Sequence, residues 1–470
     1  MRLSHDPRRT SARFDDPNLV SRAGLVPVMS LAERAGLFAL VREHVRVAGP
    51  CGANAGAKVG CLVAGMTAGA GCIDDLDVLR HGAMSALFEG LRAPSTLGSF
   101  LRSFTWGTVL QLGKVGRLLL AELAVRADLL PGADQLAFID VDSTQRRTYG
   151  HRKEGAAFGH TKIQGKTVLV RGLNALVATA STPQSAPVIA AARLRGGNAN
   201  SARGAASLAA GAIAAARDAG CTGIIVARAD SAYYSAAFTA ACRRAAAFFS
   251  VTVRMDPAIR AAIAAIGPDA WTPIRYPRAV WDEQQDRWIS DAEVAETTYC
   301  AFTSRNKSER VTARLIVRRV KDLSPRARAA GQGELFTVWR YHAVFTDSPF
   351  TLLQAEAQHR GHAIIEQVFA DLTTGPLAHA PSGKFAANAA WLALAAIAHN
   401  LTRAAGTLAS ARHAKAKGAT IRADLIHVAA RIARHGRGHL TMHLPQAWHR
   451  QPEWHNLFQA GCGPPRTRPA

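Results

Sequence analysis

FIDVDST, Phe138 to Thr144, is an apolar segment broken twice by aspartate. Phe138, Ile139 and Val141 suit a buried strand, yet Asp140 and Asp142 recur at period two. On a strand both carboxylates point to one face. Burying one is costly, and two repel each other unless positive charge lies between them. The pair therefore raises the question of what it is for, and which of the two aspartates does the work.

The rest of the 470 residues sets the frame. A hydrophobic content of 48% supports a large core and two or three domains. Lys and Arg number 57 against 34 Asp and Glu, a formal net charge of +23 spread along the chain. That excess points to a polyanion, nucleic acid ahead of an anionic membrane, with Arg- and Ala-biased composition as the plain alternative. Seven cysteines never form C-x-x-C, which argues against a zinc module and for reduced thiols in a cytoplasmic setting. The start, MRLSHDPRRTSARFDDP, has charges where a signal peptide needs an apolar core. The most apolar stretch, AANAAWLALAAIAHNL, contains Asn388 and His399 and reads as a buried helix, not a membrane span.

Residues 1–130 read as a helical region with apolar positions at three and four, either a DNA-binding region or a packing domain. Asp74 or Asp75 is the expected N-cap of its third helix, and Ser95 or Thr96 of its fourth. Residues 131–256 then follow the order β-β-β-α-β-α-β, an α/β domain with an antiparallel start. Residues 257–348, with Trp271, Trp281, Trp288 and Trp339, read as a β-rich insertion. Residues 349–410 return to helix, in FTLLQAEAQHRGHAIIEQVFADL and the segment around Trp391, and 411–470 read as a helical segment and tail.

Three acids stand out. Asp142 lies on the first core strand, Asp230 ends the strand TGIIVARAD, and Glu366 borders the apolar face made by Ile364, Ile365, Val368, Phe369 and Leu372. Brought together they form an oxygen-ligand site for Mg²⁺ or Mn²⁺. Two such ions can activate an attacking water or 3′-OH and stabilise the leaving oxygen in phosphoryl transfer. The alternative is a cap, a turn and a solvated helix face. Asp140 reads as a residue behind the ligands that hydrogen-bonds them or a nearby cation, and an exchange of roles with Asp142 stays open. Arg146, Arg147, Arg152 and Lys153 are candidate phosphate contacts or a solvated basic loop, and Lys162 and Lys166 are similar. Tyr233 and Tyr234 read as packing residues, and a Trp of the insertion as a possible platform for an unpaired base.

The ordered set FIDVDSTQRRTYGHRKEGAAFGH, VARADSAYYS, AEVAETTY at 292–299, PSTLGSFLRSFTWG at 94–107 and HRGHAIIEQVFADL resembles DDE transposases. Within them it resembles the bacterial insertion-sequence family thirteen-eighty, over about residues 25 to 405. The resemblance implies a ribonuclease-H-like (integrase-like) core with an inserted β-rich domain. It places the catalytic and metal-binding triad on Asp142, Asp230 and Glu366, with Mg²⁺ or Mn²⁺, two ions, as cofactor. It further implies cut-and-paste movement: hydrolysis at the inverted-repeat ends, then strand transfer into target DNA. The protein would act as a homodimer in the synaptic complex, in the bacterial cytoplasm at the nucleoid.

One departure matters. Related transposases often carry Y-x-x-R-x-x-x-E around the last acid, whereas this chain has His359 and His362, with Arg360 alongside. These three are expected to contact DNA phosphates, since histidine can hydrogen-bond a phosphate. The departure leaves open an inactive or domesticated DNA-binding copy, and a metal-dependent nuclease without strand transfer remains a further alternative.

Overall fold

The computed structural model describes residues 1–150, 152–163, 166–277, 279–321 and 338–463. His151, the side chains of Lys162 and Lys166, and the tail beyond 463 lie outside the described residues. The chain is a mixed α/β structure built on one large mixed sheet.

Strand β1 (Leu19–Val20) leads into helices α1 (Leu25–Arg34), α2 (Leu37–His44), α3 (Ala55–Thr67), α4 (Met84–Leu87), α5 (Pro94–Arg102) and α6 (Trp106–Ala127). The expected third helix is broken. Asp75 does not cap it; its carboxylate accepts from the Gly71 and Cys72 amides at 2.8 and 3.0 Å and bends the chain into a 3₁₀ segment, Asp74–Arg80. The expected fourth helix splits in two. Its first half starts with Pro94 at the first turn and no side-chain cap, while Thr105 caps the second half in a reciprocal pair with Thr108.

The core sheet begins with β2 (Leu136–Arg147), β3 (Ala157–Ile163), β4 (Lys166–Ser181) and β5 (Val188–Gly196). Then come α7 (Ala205–Asp218), β6 (Ile224–Ala229), α8 (Ala236–Arg244) and β7 (Phe248–Thr252). Strands run β5-β4-β2-β6-β7, with β2, β6 and β7 parallel and β4 antiparallel to both of its neighbours. This matches the expected order except for β3, which forms an extra hairpin with the front of β4. The first half of β2 is buried as a continuous run, as a central strand covered on both faces must be.

After α9 (Pro257–Ala264) come β8 (Thr272–Pro273), the small hairpin β9 (Val280–Asp282) and β10 (Arg287–Ile289), then β11 (Ala292–Ala301), β12 (Val311–Lys321) and β13 (Trp339–Thr346). Strand β13 pairs with β7, so the segment extends the core sheet in the order β7-β13-β12-β11-β8. Its tryptophans pack together. Trp281 meets Trp288 edge-on across the small hairpin, and Arg319 lies over the rings of both Trp271 and Trp339.

The last region holds α10 (Leu352–Arg360), α11 (Ile365–Thr373), α12 (Phe385–Ala409), the single turns α13 (Ala411–Ala414) and α14 (Gly418–Ile421), then β14 (Ala430–Arg434), β15 (Leu440–His443) and α15 (Gln451–Cys462). The segment 411–470, expected to be helical, thus also carries a β-hairpin, which pairs with β1. Helix α12 runs through the centre, against α3, α6 and β5. Its polar residues are spent on backbone: Asn400 donates to the Ile189 carbonyl and accepts from the Ile189 amide, both at 2.8 Å. Among the described residues, no helix is long and apolar enough to cross a membrane.

Candidate active site

The parallel register of β2 and β6 builds the site. Asp140 lies opposite Arg228, and the last pair of the ladder is Val141 with Ala229. Asp142 and Asp230 are therefore the next residues on the two strands, side by side where β6 ends. By strand alternation each follows the face of its partner two residues back. Asp140 and Arg228 form a buried layer, and Asp142 and Asp230 the layer in front of it.

The buried layer is a closed polar network. Arg228 donates to both Asp140 oxygens, Nε to Oδ1 at 2.6 Å and Nη2 to Oδ2 at 2.7 Å. Its third nitrogen, Nη1, donates to the Gln358 carbonyl at 2.5 Å, in the last turn of α10. The guanidinium also stacks over Phe138, 3.9 Å from the ring centre. His362 Nδ1 sits 2.9 Å from Asp140 Oδ1. Burial works to raise the Asp140 carboxyl, but the Arg228 and His362 contacts overcome it and hold the group below the usual carboxylate range. Asp140 is thus behind the cleft and committed to a cation of the protein itself.

Chain geometry at 361–364 makes this possible. The expected single helix is interrupted there by a 3₁₀ turn, Gly361–Ile364, before α11. A Cβ on Gly361 would sit 2.9 Å from Arg228 Nη1, so a glycine lets the guanidinium reach the end of α10. Glu366, one turn beyond His362, is exposed in the first turn of α11. Ile365, Val368, Phe369 and Leu372 are buried, as the apolar face predicts, whereas Ile364, the last residue of the 3₁₀ turn, is half-buried.

Asp142, Asp230 and Glu366 line one open cleft of about 400 Å³. Burial pushes the Asp142 carboxyl up to about 6, and the charges of Asp230 and Glu366 add to the rise, against the Ser143 amide and His362. The Ser143 amide donates to Asp142 Oδ1 at 2.6 Å. Asp230 Oδ1 accepts from the Ala232 amide at 2.9 Å, which orients it at the strand end. Behind them the Tyr233 ring is fully buried, and burial with the nearby Asp142 charge keeps its hydroxyl protonated, so it packs as expected.

The other wall comes from β12, β13 and α10. Arg318 and His342 line the cleft, with Glu356, His359 and Arg360. Buried Glu356 accepts from Arg318 at 2.6 Å and from Arg360 at 2.9 Å. Arg360 therefore faces the cleft but is shared with a carboxylate. His359 is held differently from the phosphate contact expected of it. Its Nδ1 meets Ser250 Oγ and its Nε2 meets Thr252 Oγ1, both at 2.9 Å, so no ring nitrogen is left for a phosphate. Burial, then the charges of His362 and Arg228, push it down to about 3, so it is neutral at pH 7. With Nδ1 tied to Asp140, His362 keeps Nε2 for the cleft it lines.

The structure does not bring the remaining basic candidates into this cleft. Arg147 is exposed against the Tyr149 ring, Arg152 is exposed, and Lys153 donates to the Ala380 carbonyl. Arg146 is half-buried, and burial lowers its pKa. Arg318, His342 and Glu356, which line the cleft, and Arg228, buried behind it, escaped the sequence reading. Arg228 had a readable signal, since it precedes Asp230 by two and so repeats the period of Asp140 and Asp142.

As they stand, no three or more His, Cys, Asp or Glu side chains among the described residues gather at metal-ligating distance. The donor set nonetheless fits a divalent cation. It consists of carboxylate oxygens, and Asp142 is held up in part by the charges of Asp230 and Glu366, a repulsion that bound positive charge would relieve.

A carboxylate-lined cleft at the end of parallel strands, closed by an acidic helix, defines an acid-dependent site on an α/β scaffold. Over residues 4–460 the chain matches the family described as transposase DDE domain group 1, and it belongs to that family. It is accordingly a DDE transposase, a protein of DNA transposition and recombination in insertion elements. No curated protein matches the chain.

Proposed function

We propose that this chain cuts the inverted-repeat ends of its own insertion sequence and joins them to target DNA, with Asp142, Asp230 and Glu366 as the catalytic and metal-binding triad. The single observation that carries this is the register: Val141 opposite Ala229 sets Asp142 beside Asp230, and the Asp140–His362 bond brings Glu366 to the same cleft. The strand order β5-β4-β2-β6-β7 supports a ribonuclease-H-like core, and the quoted motifs support family thirteen-eighty.

Asp142, Asp230 and Glu366 would hold Mg²⁺ or Mn²⁺, which supplies activation of the attacking oxygen and charge neutralisation at the leaving one. The chain's own residues prepare that chemistry. Asp142 would bind such an ion as the carboxylate, so occupancy and ionisation would be linked near its pKa of about 6. Arg228 takes Asp140, and Arg318 with Arg360 takes Glu356, out of the cleft's charge, leaving Asp142, Asp230 and Glu366 as the acids for the ions. His362 Nε2, Arg318 and His342 face the space that a DNA phosphate would enter. The helical region 1–130 binds the ends in this reading, and a homodimer pairs them at the nucleoid.

The test is incubation of purified protein with Mg²⁺ and a duplex carrying the element end, alongside Asp230→Ala. Metal-dependent nicking that the substitution abolishes is expected. No nicking by the unchanged chain would mean an inactive DNA-binding copy, nicking without joining would mean a plain nuclease, and nicking by the variant would remove the site.

A further inference from the structure

The chain carries no acidic residue between Asp424 and Glu453. Hairpin β14–β15 lies within this span. Its register pairs Arg431 with His443, Ile432 with Met442, Ala433 with Thr441 and Arg434 with Leu440, and the His435 amide closes the end on the His439 carbonyl at 2.8 Å. Alternation then sorts the side chains. Ile432 is buried and Met442 packs against the core, so that face is the inner one. The outer face carries Arg431, His435, His439 and His443, with only Ala433 and Thr441 between them.

Beyond His435 the chain turns through Gly436–Gly438, with Arg437 at φ +61° and exposed at the tip. Among the described residues neither Arg434 nor Arg437 has a carboxylate partner, while Arg431 reaches Asp16 at 3.2 Å. The root is firm. Leu19 and Val20 pair with Arg431 and Ala430, the Ile432 amide donates to Asn18, and His427 bonds the Ala68 carbonyl at 2.8 Å. A basic ribbon thus stands on the N-terminal helical region, with its charged end uncompensated.

We infer that this hairpin is a duplex-DNA contact that inserts Arg434 and Arg437 at the phosphate backbone of a groove. The inference rests on the DNA-acting reading above. A two-stranded ribbon fits the major groove of B-form DNA, whereas the deep, narrow major groove of A-form RNA excludes it. By alternation Arg434 and Leu440 follow the Ile432 face, but the hairpin end projects past the core and both are exposed. Leu440 is the one large apolar side chain exposed on the hairpin, set among Arg434, His435, Arg437 and His439, too little apolar area for a surface that enters a bilayer. Uncompensated arginines gain most from phosphates, because each contact releases condensed counterions.

The test uses the full chain and a fluorescein-labelled, mixed-sequence duplex of about 30 base pairs, titrated between about 50 and 200 mM NaCl. Replacing both residues, R434A with R437A, is expected to weaken binding about tenfold and to lower the log–log salt slope by about 2, while R434K with R437K keeps the slope. Unchanged affinity and slope in the alanine variant would overturn the inference. So would a loss seen on phosphatidylserine vesicles but not on the duplex. Nicking by the unchanged chain, measured in parallel, separates the two readings: with that nicking present, weaker duplex binding by the alanine variant supports the contact surface, and unchanged binding removes the hairpin alone.

Discussion

Arg228 grips Asp140 through two parallel hydrogen bonds, 2.6 and 2.7 Å long, in a layer sealed from solvent. Its remaining nitrogen holds the end of α10, so one guanidinium joins two strands and the approach to the acidic helix. A buried pair of this kind is weak evidence for stability but expensive to break from one side.

Arg228→Met is therefore expected to destabilise the fold by about 3–5 kcal/mol, because it leaves Asp140 buried without its cation. Asp140→Asn removes the charge and keeps the shape, so it should lower the melting temperature less and weaken cleavage without abolishing it. Asp142→Asn should abolish cleavage with the fold intact. Calorimetric melting and nicking rates on the three variants check the set; equal cleavage loss with no stability difference between the Asp140 and Asp142 variants would contradict it.

Gly361→Ala probes the same junction from the backbone. Its methyl carbon would stand 2.9 Å from Arg228 Nη1, and the guanidinium would have to leave the Gln358 carbonyl. Loss of one hydrogen bond to a charged donor predicts about 1.5–3 kcal/mol and a fall in cleavage. Alanine at exposed Ala363, by contrast, is already present, so the nearby helical turn tolerates a methyl group.

Asp142 gives a pH-dependent signature. Its folded pKa, about 6, lies above the ordinary carboxylate value of 3.8, so the folded state holds this proton more tightly. Between those values the native chain binds more protons than the unfolded one, and this group's contribution to stability falls as pH rises. Asp142→Asn should thus raise the metal-free melting temperature at pH 8 by about 1–3 °C and give no such gain at pH 4. Millimolar Mg²⁺ should raise the melting temperature of the unchanged chain at pH 8 and do so much less in the variant, by mass action.

His359 behaves in the opposite sense. Its pKa falls from 6.5 to about 3 on folding, so the unfolded chain takes up a proton first. Stability is full above pH 6.5 and is lost as pH drops toward 3, with a slope near 1.4 kcal/mol per unit. His359→Gln, which can still meet one hydroxyl of the Ser250 and Thr252 pair, should flatten that acid limb. Its DNA affinity at pH 7.5 should not change, because the ring is neutral there and both nitrogens are occupied.

FIDVDST was legible as a strand with both aspartates on one face, and the expected placement of Asp140 behind Asp142 agrees with its burial. Its partner was harder to see. Arg228 becomes meaningful only with the parallel register, and register between distant strands is not written in local periodicity. Glu366 was readable from its place beside an apolar helical face, whereas the break at Gly361 depends on a guanidinium arriving from another strand. His359 and His362 looked equivalent at three residues apart; two hydroxyls on β7 and one carboxylate on β2 give them different roles. The hairpin at 430–443 does alternate, RIAR and LTMH, but its strands are short and its histidines and glycines hide the pattern.

The pairing of β13 with β7 also has a consequence for the chain as it is made. Everything from α9 to β13 precedes α10, and Glu356 bonds Arg318 of β12. A chain emerging from the ribosome displays Asp142 and Asp230 well before Glu366. On the proposed triad, a growing or truncated polypeptide holds two of the three acids and cannot cut, so DNA damage is confined to molecules whose synthesis has passed the whole added sheet.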